Sequence, residues 1–202
     1  TARHRRARPL RETGSLEDAT SALPAVPVGA ADLAAMMGEI PRPGESLYDV
    51  MKRVLYQHLL ATGNVTAVEI MERCLAAIAQ RNEALNAFVY LAPAATLLAA
   101  ARTVDEARAA GAPPGPLAGI PIGVKDLLAV ADMPNTASSP VLAGNVPRTD
   151  AASIHRLKQA GAIMVGKTHT HEFALGVTTP QSRNPWDERR DPGGSSGGSA
   201  IA

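Results

Sequence analysis

Aromatic residues make up only 3% of these 202 residues, so any core must be built mainly from Ala, Leu, Ile and Val. Cysteine is rarer still: Cys74 stands alone and cannot close an internal disulfide. Nothing therefore asks for an oxidising compartment, and a cytoplasmic location is expected. Charge of one sign is also lacking, the formal net charge being +1. No global field argues for nucleic acid or an acidic membrane surface. No apolar run approaches bilayer-spanning length. What is present is a globular balance of 46% apolar and 19% charged residues, which excludes a wholly disordered chain.

Residues 1–45 stand apart. Arg3, Arg5, Arg6, Arg8 and Arg11 crowd the start, Pro24, Pro27, Pro41 and Pro43 follow, and no aromatic occurs before Tyr48. Such a segment buries too little apolar surface to offset its chain entropy, and a disordered or non-native extension is expected. From Ser46 the pattern is that of a folded domain running to Ala202. Residues 46–60 read as a helix. Thr66 and Glu69 form a capping box, with Met71, Cys74, Leu75 and Ile78 as a core stripe behind it. Residues 87–91 read as a strand, and 93–110 as a helix entered at Pro93 and left at Gly111. Residues 120–124 form a short apolar run that leaves Lys125 and Asp126 at or just past its end. Asp150 is the expected cap of a helix reaching Ala160, with Gly161 after it, and 162–165 is a buried-strand candidate. Strands alternating with helices argue an α/β fold, with a mixed, largely parallel sheet flanked by helices.

Two features carry chemistry. Lys125 follows Gly119-Ile120-Pro121-Ile122-Gly123-Val124. Burial beside such a run lowers a lysine pKa and makes a general base; the competing reading is a solvated lysine beside Asp126. The second is Pro192-Gly193-Gly194-Ser195-Ser196-Gly197-Gly198-Ser199-Ala200. Its glycines permit close backbone approach, and its serines can donate and accept as a proton relay requires. A flexible linker or a phosphate cradle are the alternatives, although the Gly-Lys-Ser/Thr of a Walker loop is missing. His169, His171 and Glu172 have the spacing of a zinc site, but no third Cys or His ligand lies nearby, and loop or pocket-wall residues are expected. Trp186 reads as a packing anchor for its loop.

Taken together, the stretches Leu117–Asp126, Gly166–Gly176, Arg183–Asp187 and Pro192–Ala200 resemble the amidase signature family in order and rough spacing, from about Leu47 to Ala202. The resemblance implies an amidase-signature fold and hydrolysis of a small-molecule carboxamide through an acyl-enzyme, without metal or cofactor. It implies that Lys125 is the neutral lysine of a Ser-cisSer-Lys triad, that Ser195 is the serine following a cis peptide, and that Ser196 supports their hydrogen bonds. The attacking serine is expected roughly two dozen residues after Ser195, beyond Ala202. The chain therefore reads as the amino-terminal portion of a longer frame, incomplete as a fold and inactive alone. A non-catalytic truncated module and the amidase subunit of a tRNA-dependent amidotransferase are the alternatives. Leu175-Gly176-Val177-Thr178-Thr179-Pro180 tilts towards a free-standing amidase.

Overall fold

The computed structural model describes residues 65–202. The expected extension over residues 1–45 and the helix over 46–60 lie outside the described residues. Helix α1 (Ala67–Leu85) begins as its sequence asks. The Glu69 amide donates to Thr66 Oγ1 at 3.1 Å, and the Thr66 amide donates to the Glu69 carboxylate at 2.8 Å. Two further amides at this end, Ala67 and Val68, donate to the Asp105 carboxylate at 2.7 and 3.0 Å. Four otherwise orphaned donors are thereby satisfied. Asp105 belongs to α2 (Ala94–Ala109), so this contact also ties the two helices together. The buried face of α1 is Ala67, Ile70 and Met71, with Leu85 at its far end; Cys74, Leu75 and Ile78 of the expected stripe are less buried. The helix stops at Asn86, whose left-handed φ of 52° a short polar side chain tolerates.

Three strands form one sheet in the order β1-β3-β2: β1 (Phe88–Leu91), β2 (Pro121–Lys125) and β3 (Ile163–Thr168). β2 runs parallel to β3, with Val124 opposite Lys167 and Lys125 opposite Thr168, whereas β1 is antiparallel to β3. The sheet is thus mixed and helix-flanked as expected, with one pairing of each sense. The central strand β3 is buried at all six positions. It runs past the expected stop at Val165 through Gly166, Lys167 and Thr168.

Helix α3 (Ala152–Gln159) links β2 to β3 and lays Ile154 on a core of Val124, Val130, Ala162 and Met164. Asp150 does not cap it. Ala151 occupies the cap position without a side-chain bond, and the Asp150 carboxylate turns instead to the Ala131 amide and Lys158, each at 2.8 Å. The predicted anchor Trp186 is likewise corrected: it is 90% exposed. Its loop is held without the indole, by the Trp186 amide on Asn184 Oδ1 at 2.9 Å and by Asp187 bridging Arg189 and Arg190. Among the described residues no helix is long and apolar enough to cross a membrane.

Candidate active site

Lys125 ends β2, so its backbone is fixed by the ladder to Thr168 while its side chain leaves the sheet. Its Nζ lies 2.8 Å from Ser195 Oγ and 2.7 Å from Ser196 Oγ. The structure therefore brings together all three residues singled out in the sequence. Among the described residues no ion pair involves Lys125; its polar partners are hydroxyls.

The glycine-serine loop is an ordered turn, tightly bound to the strand ends, and leads into the short helix α4 (Gly197–Ile201). The Gly194–Ser195 peptide is cis. Asp191 accepts from the Gly193 amide at 2.6 Å and the Thr179 amide at 3.0 Å, and Thr179 Oγ1 accepts from the Gly197 amide at 2.9 Å. A side chain at Gly194 would drive its Cβ into the Thr178 carbonyl oxygen. At Gly198 the Cβ would collide with the His169 nitrogen and the Ala87 carbonyl oxygen. Both are contacts with backbone that cannot swing away, which accounts for glycine at these positions. The Ser195 carbonyl is held from the other side, by Thr170 Oγ1 at 2.6 Å and the His171 amide at 3.0 Å. Ser199 Oγ lies 2.7 Å from Thr168 Oγ1.

Immediately after Lys125 comes a buried cluster to which the sequence alone assigns no role. Asp126 and Lys167 are both fully buried and pair at 3.0 Å. The Asp126 carboxylate also accepts from the Thr136 amide at 3.0 Å, Thr136 Oγ1 at 2.5 Å and the Ser138 amide at 3.1 Å. Lys167 donates further to Asn135 Oδ1 at 2.6 Å. Burial pushes the Lys167 ammonium below its ordinary range, while the hydrogen bond and charge of Asp126 pull it back up. The available signal is a lysine closing the apolar run of residues 162–166, because a buried ammonium requires a partner.

His169, His171 and Glu172 diverge. His169 Nδ1 lies 3.1 Å from Ser138 Oγ, His171 Nδ1 3.2 Å from the Glu172 carbonyl oxygen, and Glu172 accepts from Ser139 Oγ at 2.6 Å. No group of three or more such side chains converges as a metal site among the described residues. His169 instead walls a cavity of about 380 Å³ with Val89, Tyr90, Thr136, Ser138 and Pro140. Burial also pushes the His169 imidazolium down, opposed by the charge of Asp126.

Comparison with known proteins gives this arrangement a setting. The Amidase family profile matches residues 69–202. A subunit of the glutamyl-tRNA(Gln) amidotransferase of Chloroflexus aurantiacus is 50% identical over 151 residues, covering 72% of this chain and 31% of the relative. The peptide amidase of Stenotrophomonas maltophilia superposes with a TM-score of 0.67 at 33% identity, over 73% of this chain and 32% of that one. For the corresponding amidotransferase subunit of Thermotoga maritima the TM-score is 0.55 at 29% identity, over 67% and 28%. The chain thus spans about a third of the length of these proteins, and over that span it belongs to the amidase signature family.

Proposed function

We propose that residues 46–202 are the amino-terminal part of the catalytic domain of an amidase that cleaves a carboxamide C–N bond through a Ser-cisSer-Lys triad. The observation that carries the reading is Lys125 Nζ within 2.8 Å of both the Ser195 and Ser196 hydroxyls. A serine hydroxyl attacks an amide only if a base takes its proton. Ser195 accepts that proton while passing its own to neutral Lys125, and Ser196 holds Nζ in line. The attacking oxygen forms the acyl bond, and the leaving nitrogen departs with a proton returned from Lys125. Water then hydrolyses the ester by the same relay. The attacking serine is not among these 202 residues. The reading requires no metal or cofactor, and it has the enzyme in the cytoplasm with a small amide as substrate and no nucleic-acid contact through these residues.

The 50% identity to an amidotransferase subunit favours a second reading, in which the amide is glutamine and the protein works as one subunit of a larger enzyme. One experiment on the full-length protein addresses both. Ammonia release is followed from benzamide and from glutamine, with and without Lys125→Ala. Loss of general-base catalysis lowers turnover about 10²–10⁴-fold. Near-normal turnover in a folded Lys125→Ala variant would refute the role of Lys125, and preference for glutamine would select the second reading.

A further inference from the structure

We infer that Thr170 is a positioning residue for Ser195, and that it is set by Ser138 from the same buried cluster that fixes Lys125. The inference rests on the proposed relay from Ser195 to Lys125. The contacts close a ring. Lys125 is bonded through the chain to Asp126, whose carboxylate accepts from the Ser138 amide at 3.1 Å. Ser138 Oγ accepts from the Thr170 amide at 3.0 Å. Thr170 Oγ1 donates to the Ser195 carbonyl at 2.6 Å, and Ser195 Oγ returns to Lys125 Nζ at 2.8 Å. Base and relay serine therefore share one reference point.

Three observations give Thr170 this task and not a packing role alone. It is fully buried, yet its hydroxyl donates to the Ser195 carbonyl and not to its own segment. Ser138 holds a left-handed φ of 52°, which a residue with a Cβ keeps only where its surroundings dictate it. Here the dictating contacts are its amide on Asp126 and its hydroxyl under Thr170. Finally, the Ser195 carbonyl belongs to the same residue as the hydroxyl that must face Lys125, so a shift of it displaces the relay. Misplacement of a reacting group by about 1 Å costs on the order of 10²-fold in rate.

The test uses the full-length protein and an alkyl fluorophosphonate. The attacking serine oxygen bonds to phosphorus, fluoride leaves, and the hydroxyl proton passes to Ser195 as Ser195 gives its own to Lys125. Thr170→Val keeps the shape and removes the hydroxyl; Thr170→Ser keeps the hydroxyl. The expected result is an inactivation rate constant about 10- to 100-fold lower in Thr170→Val, an unchanged half-saturation concentration, and recovery to within a few-fold in Thr170→Ser. A normal rate constant in Thr170→Val, a change confined to half-saturation, or a Thr170→Ser variant as slow as Thr170→Val would each overturn the inference. If Thr170→Val does not fold, Ser138→Ala decides by the same measurement, a normal rate constant again overturning it. Lys125→Ala is run alongside. If it also labels normally, the relay itself is wrong; if it is dead while Thr170→Val is normal, only the positioning role fails.

Discussion

Lys167→Met isolates the buried ion pair behind the site. Methionine keeps most of the stem volume, so the change is chiefly the loss of an ammonium that contacts Asp126 at 3.0 Å and Asn135 at 2.6 Å. The Asp126 carboxylate is left fully buried without its cation. Removing one partner of a buried pair costs about 3–5 kcal/mol. Here the lower end is expected, about 3 kcal/mol, because two amides and the Thr136 hydroxyl still donate to the carboxylate. Set against a total of about 5–15 kcal/mol, that is a large loss. Neutralising both members should not restore full stability, since the Thr136 and Ser138 amides are patterned to meet a carboxylate. Asp126→Asn/Lys167→Met should nevertheless be less destabilised than the sum of the single changes, by about 1–3 kcal/mol. Urea denaturation of the full-length protein followed by circular dichroism gives the three differences, and hydrogen exchange at the Thr136 and Ser138 amides localises them. A Lys167→Met variant within about 0.5 kcal/mol of the parent, or a coupling indistinguishable from zero, would refute the reasoning.

Gly198→Ala should disorder the serine loop, because its Cβ would collide with the His169 nitrogen; a melting-temperature drop with loss of turnover is expected, and an unchanged protein would contradict the packing. His169, whose protonated form burial disfavours, should contribute stability that is present above its unfolded value of about 6.5 and lost as pH falls through its lower folded value. His169→Gln should therefore flatten the melting-temperature profile below pH ~6.5, and an identical slope in both proteins would count against it. Thr66→Ala removes the cap of α1 and should cost about 0.5–2 kcal/mol, read as a shift in the urea midpoint.

How much of this is legible in the sequence depends on how local each determinant is. The capping box from Thr66 to Glu69 spans four residues and can be read directly. So can the strand ending at Lys125, because an apolar run closing on a charge is itself the signal. Asp150 departs from its sequence reading because a helix cap and a long-range carboxylate look alike: its partners Ala131 and Lys158 belong to tertiary structure. Trp186 departs for a related reason. An aromatic in a polar loop suggests an anchor, but the loop is held by Asp187 and Asn184.

The two lysines show where residue pattern stops informing. Both sit on strands of the same sheet, opposite neighbouring positions of the β2–β3 ladder. Both close an apolar run, residues 119–124 before Lys125 and 162–166 before Lys167, so the pattern alone does not tell them apart. What separates them is the partner: hydroxyls 70 and 71 residues away for Lys125, a carboxylate 41 residues away for Lys167. A buried ammonium facing a carboxylate and an amide oxygen is committed to an ion pair and is useful as a fixed point. Lys125 is half-buried and faces the Ser195 and Ser196 hydroxyls. Since Asp126 follows Lys125 in the chain and binds Lys167, the buried ion pair anchors the backbone beside Lys125. The difference between the two thus follows from which polar group the fold brings to each side chain, a property of chain topology that neither periodicity nor composition encodes.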